Sequence, residues 1–288
     1  LQYGTEYTRE DIDRALQAED PYSIVPSRDE NGHGSAMAGV AAGSRLGNGL
    51  TYIGAAPDAD IVVVKLKEAK QYLKDFFMVP REVPAYQETD IMLGVRYADS
   101  FVEQFHRPVV ICLGLGTSYG DHEGSAPLPR YLDAIAAKRS RAVVVCGGNE
   151  GNAAHHYQGN LDASSRAGGS AVEPVEVRVA ENAEGFVMEL WGNVPDVFTV
   201  SVRSPGGETI PPIRLGIQDS ITYSFIYERT KITIAGVLVE PSSGEEMVLL
   251  RVAQPTPGIW TFLVEAVGGV HNGTFHMWLP ITQFMNAQ

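Results

Sequence analysis

The sequence predicts an α/β region with a parallel sheet and flanking helices, followed by an antiparallel β jelly roll. Continuous β-branched runs at residues 61–66, 109–113 and 142–146 have the pattern of strands buried on both faces of a parallel sheet. Amphipathic helical patterns separate these runs, which favours right-handed crossovers. From residue 172 onward short alternating runs and turn residues replace the helical pattern. We therefore place one domain at residues 1–168 and a second at 169–288.

Bulk properties narrow the function classes. The 288 residues carry a net charge of −13, which argues against a nucleic-acid partner. No apolar run approaches the roughly 20 residues of a membrane span, so no membrane partner is expected. The sequence starts at Leu1 without a signal segment, and we interpret it as processed or as a cut piece. Cys112 and Cys146 each end an apolar run, so we expect buried free thiols and leave the compartment open.

The N-terminal segment predicts a short helix before a polar loop. Thr8 can cap it with Asp11 as the capping-box acid, and Ile12, Ala15 and Leu16 form its apolar face. Residues 21–31 are a polar approach loop. It leads to residues 29–43, D-E-N-G-H-G-S-A-M-A-G-V-A-A-G, in which His33 stands between two glycines. The small residues that follow predict a central, buried helix with His33 in its open first turn.

The next elements alternate between strands and helices. We expect the strand at 61–66, a surface excursion at 67–88, a helix capped by Thr89 or Asp90 and ending near Phe105, and a helix at 127–139 between the two later strands. In open α/β sheets ligands bind beyond the carboxyl ends of the strands. That rule selects two loops, residues 114–116 (G-L-G) and residues 147–151 (G-G-N-E-G).

The second half predicts about eight antiparallel strands with residues 152–170 as the junction before them. Turn residues at 204–207, 241–244, 255–258 and 271–273 separate the strands, and Asn272-Gly273 indicates a hairpin. The predicted strands are 175–179, 186–191, 198–202, 221–227, 232–239, 248–252, 260–267 and 274–279.

Residues 33–39, H-G-S-A-M-A-G, resemble the H-G-T-x-V-A-G histidine motif of the subtilisin-like serine proteases (subtilases). The segment from Gly54 to Leu66 resembles the G-V-A-P-x-A-x-[IL]-x-x-x-[KR]-[VL] segment that follows in that family. The resemblance implies that His33 is the catalytic base. Residues Gly114, Leu115 and Gly116 stand where the family has S-L-G, a segment that pairs with the substrate backbone and walls the P1 pocket.

Gly148 and Asn149 stand where the family has A-G-N-x-G, which implies that the Asn149 amide donates to the tetrahedral oxyanion. A turn residue in a Gly-rich loop is the alternative interpretation of Asn149. A jelly roll placed after the oxyanion Asn and before any serine motif resembles the Csp-type germination proteases of spore-forming Clostridia. Residues 7–12, 119–125 and 151–159 also look like that subfamily, and the resemblance covers nearly the whole chain.

Two parts of a Ser-His-Asp triad are missing from the sequence. No D-[ST]-G tripeptide occurs, and we do not take Asp29, four residues before His33, as the orienting acid. Residues 116–118, G-T-S, lack the Ala and Pro of the nucleophile motif G-T-S-x-A-x-P, so Ser118 is interpreted as a loop residue. The chain is therefore either a piece of a longer serine endopeptidase or a natural pseudoprotease that binds and signals in germination. In both cases we expect no peptide hydrolysis by the chain alone.

The remaining candidates are weaker. Asp121, His122 and Glu123, or His155 with His156, could be metal ligands, but their spacing favours polar rim residues of the substrate cleft; we expect no metal and no cofactor. Asn272 matches a glycosylation acceptor but is better explained as a turn. Trp191, Trp260 and Trp278 are interpreted as core residues rather than as a surface that binds sugar.

Expected partners are a peptide or protein substrate and a prodomain or the missing parts of the same polypeptide. The resemblance implies a spore-associated or secreted location.

Overall fold

A computed structural model of the chain describes residues 3–45, 52–161, 172–213 and 219–285. The chain divides into two compact units, Leu1–Lys65 and Leu66–Gln288, and each is described by itself. Residues 162–170 of the predicted junction, and with them the predicted domain boundary at 168/169, lie outside the described residues, so that boundary stays a prediction.

The first unit begins with helix α1 (Arg9–Gln17). The predicted capping box is confirmed: the Thr8 side chain accepts from the Asp11 N–H, and the Asp11 carboxylate accepts from the Thr8 N–H. The apolar face is only partly buried, because Ala15 is covered while Ile12 and Leu16 are exposed. A 3₁₀ turn at Pro21–Ser23 and a polar loop lead to helix α2 (His33–Ala42).

Two burial predictions for this unit are wrong. Helix α2 begins at His33 as expected, but none of its residues is buried and Val40 is 75% exposed. Residues 61–64 form no strand, and Val63 is 72% exposed. The reason is the same for both segments. An apolar pattern shows which surface can be buried, but it does not supply the element that covers it, and no described element of this unit does so.

The second unit begins with an α/β part. It contains α3 (Gln71–Phe76), α4 (Glu88–Phe105), β1 (Val109–Leu113), α5 (Pro127–Ala136) and β2 (Arg141–Val145). Helix α3 lies in the stretch predicted as a surface excursion. Helix α4 starts after Gln87, slightly before the predicted caps. Strands β1 and β2 are parallel neighbours, as expected from the helical crossover between them.

The β1–β2 sheet is covered on one face. Ile111 packs with Ile91 and Val95 of α4 and with Ile135 of α5 in a small buried cluster. Residues on the other face of the strands, including Val110 and Val144, are exposed. Cys112 and Cys146 are free, as predicted, but both are exposed, so the prediction of buried thiols is wrong. Cys112 alternates with Ile111 and therefore points away from the helices.

The rest of the unit is a β-sandwich of two antiparallel sheets. Its strands are β3 (His156–Asn160), β4 (Val172–Val179), β5 (Gly185–Gly192), β6 (Phe198–Arg203), β7 (Thr209–Ile210), β8 (Asp219–Ser224), β9 (Lys231–Val237), β10 (Glu246–Ala253), β11 (Gly258–Ala266) and β12 (Thr274–Trp278). The sheet orders are β3-β12-β5-β10-β9-β8 and β4-β11-β6-β7. Strands β3 to β6 alternate between the sheets, as do β10 to β12, which is the jelly-roll connection.

The turn predictions have mixed outcomes. The turns at 204–207 and 241–244 join paired strands, β6 with β7 and β9 with β10. The Asn272-Gly273 hairpin is wrong, because β11 and β12 lie in different sheets. The turn there is fixed instead by the Asp196 carboxylate, which accepts from the main-chain N–H groups of residues 271–273. Strands β3 and β7 were not predicted.

Strand β5 is buried along its whole length. Its inner side chains, such as Leu190, lie in the sandwich core, which is filled by aromatic and aliphatic residues of both sheets. Its outer face is covered by segments of the α/β part. The Glu189 carboxylate accepts from the Gly120 N–H at 2.9 Å. On neighbouring β10, Arg251 donates to the carbonyl oxygens of Asp75 and Phe76 at 3.1 and 3.0 Å. The α/β part and the sandwich therefore share a polar contact surface.

Candidate active site

The two loops selected by the sequence leave the same edge of the β1–β2 sheet. Leu113 and Val145 are register partners at the carboxyl ends of the parallel strands. The N–H of Cys146 then donates to the Leu113 carbonyl at 3.1 Å. Residues 114–116 and 147–149 therefore start side by side, at the edge where α/β sheets bind ligands.

The first loop contains Gly114, Leu115 and Gly116. Leu115 is half-buried and packs against the cluster formed by α4, α5 and β1. Gly116 is exposed, and a side chain built there would meet nothing within 4 Å. This leaves one side of the segment open to an extended peptide. Ser118 is half-buried two residues further on, next to the Thr117 hydroxyl, which accepts from the Tyr119 N–H at 3.0 Å.

The second loop presents Asn149 on the surface. Gly148 has φ +75°, a left-handed conformation that favours glycine at this position. Asn149 is exposed, and the next residue anchors the loop: the Glu150 carboxylate accepts from the Thr282 hydroxyl at 2.6 Å and from its N–H at 3.1 Å. The Thr282 hydroxyl is the main cause that holds the pKa of Glu150 below its usual range, followed by smaller contributions that include His155. Asn149 therefore lies between Gly148, whose backbone has a left-handed conformation, and Glu150, whose carboxylate is held by Thr282.

His33 belongs to the first unit and is exposed at the first position of α2. The Asp29 carboxylate fixes this helix start. It accepts from the Ser35 hydroxyl at 2.7 Å and from the N–H groups of Ser35 and Gly32 at 2.8 and 2.7 Å. These donors, the Ser35 hydroxyl first, hold the pKa of Asp29 well below its usual range. Asp29 therefore acts as a helix cap. An Asp shortly before a Gly-rich helix start, with a Ser in the first turn, was the sequence signal for this role.

The polar residues considered as metal ligands lie against the sandwich. The His122 ring stacks on Trp278, and its Nδ1 lies 2.9 Å from the Gly120 carbonyl oxygen. His156 stacks on Trp278 as well, while His155 Nδ1 lies 2.9 Å from Glu150. In the described part of the chain no three His, Cys, Asp or Glu side chains are placed to share a metal ion.

The tryptophans divide between the core and its outer surface. Trp260 is fully buried in the sandwich core, and Trp191 is buried on the outer face of β5. Trp278 is half-exposed on β12.

No helix among the described residues is long and apolar enough to cross the hydrocarbon layer of a bilayer.

Comparison with known proteins identifies the relatives of this arrangement. The profile of the Subtilase family matches residues 4–173, more than half of the chain. The chain belongs to the subtilase family. Its fold is similar to the solved structure of the CspB protease of Clostridium perfringens, with a TM-score of 0.81 and 26% sequence identity. No curated protein sequence matches significantly.

The match to CspB confirms the resemblance to the Csp-type subtilases and the α/β-plus-jelly-roll fold class. It covers 100% of this chain and 58% of the CspB chain. The chain therefore spans somewhat more than half the length of that relative.

Proposed function

We propose that this subtilase chain is the part of a serine endopeptidase that carries the general base His33, the oxyanion donor Asn149 and the substrate segment Gly114–Gly116. Its substrate would be an extended segment of a peptide or protein, bound along residues 114–116. The chain alone would be inactive, because the Asp and Ser motifs of the triad are absent from its sequence. A prodomain or the remaining parts of the same polypeptide would be its partners.

The observation that supports this proposal best is the parallel register of β1 and β2. It starts the open, glycine-flanked segment 114–116 beside the Gly-rich loop that carries the exposed Asn149. Peptide-bond hydrolysis needs such an arrangement, since the substrate strand must be aligned and the carbonyl oxygen must meet a fixed donor. Gly148 next to the proposed substrate loop leaves space for the carbonyl group to approach.

In the proposed reaction the serine hydroxyl, supplied from outside this chain, attacks the carbonyl carbon. His33 accepts the hydroxyl proton and later passes it to the leaving amine. The Asn149 amide donates a hydrogen bond to the oxyanion that forms. Asp29 keeps the first turn of α2 in place, so that the imidazole is presented from a defined helix end.

The test is intact mass spectrometry of the natural full-length protein after treatment with a fluorophosphonate serine probe. We expect a single adduct, lost in His33→Ala and retained in the matched control His271→Ala, which changes another exposed histidine. A folded wild-type protein that forms no adduct would contradict the proposal. So would a His33→Ala variant that still reacts at the wild-type rate.

The second candidate is a pseudoprotease that acts as a binding or signalling module in spore germination. The observation that favours it is the turn after β8, where Ile226 and Tyr227 are 79% and 85% exposed. The Glu208 carboxylate accepts from the main-chain N–H groups of both residues at 3.0–3.2 Å, so their presentation is fixed. An Ile226→Asp variant that loses partner binding, together with the absence of a probe adduct, would favour this function.

A further inference from the structure

Trp278 on the outer face of the six-stranded sheet lies between two imidazole rings. Its ring centroid is 3.6 Å from that of His122 and 3.8 Å from that of His156, with interplanar angles of 9° and 15°. Two nearly parallel rings this close to one indole must lie on its opposite faces. His156 comes from β3 of the same sheet, whereas His122 comes from the loop that follows β1. The stack therefore joins that loop to the sandwich.

A third histidine extends the cluster. His156 Nε2 lies 2.9 Å from His276 Nδ1, which is hydrogen-bond distance. A hydrogen bond between two imidazoles needs one nitrogen without a proton. The hydrogen bond between His156 and His276 is therefore kept when one of the two rings is protonated, and it is lost when both rings are charged.

Besides the imidazoles of His156 on β3 and His276 on β12, carboxylates from three parts of the chain surround His122. In its own loop are Asp121, which raises the pKa of His122 slightly, and Glu123. Glu189 on β5 is 7% exposed and accepts from the Gly120 N–H, and after burial its charge is the second cause that raises the pKa of Tyr119. Immediately before β10, Glu245 has its pKa raised to about 7, chiefly by burial and to a smaller extent by Glu123 and Asp121.

The loop that carries His122 begins with the proposed substrate segment. Leu115 is held in the cluster of α4, α5 and β1, while Gly120 and His122 are held on the sandwich by Glu189 and Trp278. Only four residues, 116–119, connect these two fixed points. Tyr119 packs against Phe77 with ring centroids 5.0 Å apart and Gly120 bonds Glu189, so the His122 stack is a third restraint on the segment that leads back to Gly116.

We propose that His122 is a positioning residue for the substrate segment 114–116 and that its stack on Trp278 is a pH-dependent clamp, closed near neutral pH and opened by acid. The catalytic consequence of the clamp rests on the proposed function. The clamp itself does not, since it is a property of this chain.

The direction follows from the protonation states. Burial is the largest cause that lowers the pKa of both His122 and His156, followed for His156 by the charges of the other two imidazoles. The neutral rings are favoured in the closed clamp, so its stability is present above the ordinary histidine pKa near 6.5 and is lost as the pH falls below it. Glu245 acts in the opposite direction, but its shift comes mainly from burial at its own hairpin.

The first experiment measures hydrogen–deuterium exchange of peptides from residues 114–122 in the natural full-length protein at pH 5.0 and 7.5, corrected for the intrinsic exchange rate. Each unit by which the closed clamp lowers an imidazole pKa changes the closed-to-open ratio about tenfold. We therefore expect exchange in this segment to be faster at pH 5.0 than at pH 7.5.

Variants separate the clamp from a general loss of structure. His122→Phe keeps a flat ring on Trp278 but cannot take a proton, so the segment should stay protected at both pH values. Glu245→Gln removes the opposing carboxylate and should enlarge the pH effect. His271→Phe, a histidine outside the cluster, should behave as the wild type. His122→Ala should expose the segment at both pH values.

The proposal is overturned if the wild-type segment exchanges equally at both pH values or if His122→Phe keeps the pH effect. In the active protein, His122→Phe should also remove the acid limb that the clamp adds to the pH profile of kcat/KM. A full-length protein without any peptidase activity would contradict the proposed function, but the exchange result would still decide the clamp.

Discussion

The N–H of Cys146 donates to the carbonyl oxygen of Leu113 at 3.1 Å, one residue beyond the end of β2. This bond continues the parallel pairing up to the point where the two candidate site loops begin. The paired strands therefore fix the positions at which the two loops begin. A substitution within either loop should leave these starting positions unchanged.

The Asn149 side chain provides the most direct test of that site. In the natural full-length protein, Asn149→Ala should lower kcat for a peptide substrate by about 10²–10³-fold with a small change in KM, a magnitude measured in this family for loss of one oxyanion donor. Asn152→Ala, which changes an exposed asparagine in the same loop, is the control. Equal activity of the two variants would show that Asn149 is only a turn residue.

Two glycines near helix α2 should respond in opposite ways to alanine. A Cβ at Gly54 would lie 2.3 Å from the Gly43 nitrogen, whereas a Cβ at Gly39 meets nothing within 4 Å. Gly54→Ala should destabilise the helix by about 1–3 kcal/mol through the backbone clash. Gly39→Ala should stabilise it by about 0.5–1 kcal/mol through lower backbone entropy in the unfolded chain. Native-state hydrogen exchange of α2 amides measures both, and a destabilising Gly39→Ala would contradict the open environment.

Glu246 should make the sandwich less stable as the pH rises. It is buried on β10, and burial raises its pKa to about 7, although its carboxylate accepts from the Phe198 N–H at 2.7 Å. The protonated form is favoured in the fold, so its contribution to stability is complete below the unfolded pKa near 4.5 and is lost as the pH rises through about 7. Glu246→Gln should therefore raise the free energy of unfolding at pH 8 by about 1–3 kcal/mol in urea titrations.

Glu240 supplies the matched control for that change. Burial alone would raise the pKa of its carboxylate, but hydrogen bonds from Ser242 and Ser243 hold it below its usual range. Glu240→Gln should destabilise the protein at neutral pH. The same sign for both glutamine variants would contradict the assignment.

Asp196 should be one of the most sensitive positions for stability. Its carboxylate is 1% exposed and accepts from the N–H groups of His271, Asn272 and Gly273 at 2.6–2.8 Å. Asp196→Ala leaves these donors without partners and should lower the free energy of unfolding by about 3–5 kcal/mol. Asp196→Asn keeps one acceptor oxygen and should cost less. Glu181→Ala, an exposed position in the turn before β5, should be nearly neutral in thermal unfolding.

Local rules predicted the elements whose cause is local. The capping box of Thr8 and Asp11 needs only four neighbouring residues, and the start of α2 at His33 follows from the glycines and small residues around it. The parallel pair β1 and β2 followed from two apolar runs with a helix between them. The loops with Gly114–Gly116 and Gly148–Asn149 could be placed at one edge of the sheet because they follow those strands, and their roles as site residues stay predictions.

Features that depend on distant partners could not be predicted in the same way. The apolar residues 61–64 have the composition of a buried strand, but burial requires a covering element. Strand β3, H-Y-Q-G-N, has no apolar alternation, because its inward positions are Tyr157 and Gly159, and a side chain at Gly159 would meet the Phe275 ring of β12. The contacts of His122 with Trp278 and of Glu189 with Gly120 join residues far apart in the chain, and no local pattern marks them.

The complete burial of β5 also affects how the sandwich can be exchanged between proteins. A recombination event that transferred only residues 169–288 would leave β3 behind and would remove the loop that covers Glu189 and Trp278. The recipient would then display an aromatic surface and a carboxylate that this chain keeps covered. A transplant that keeps the outer face of the sandwich covered therefore has to include the loop after β1, strand β3 and the α3 residues Asp75 and Phe76, whose carbonyl oxygens accept from Arg251.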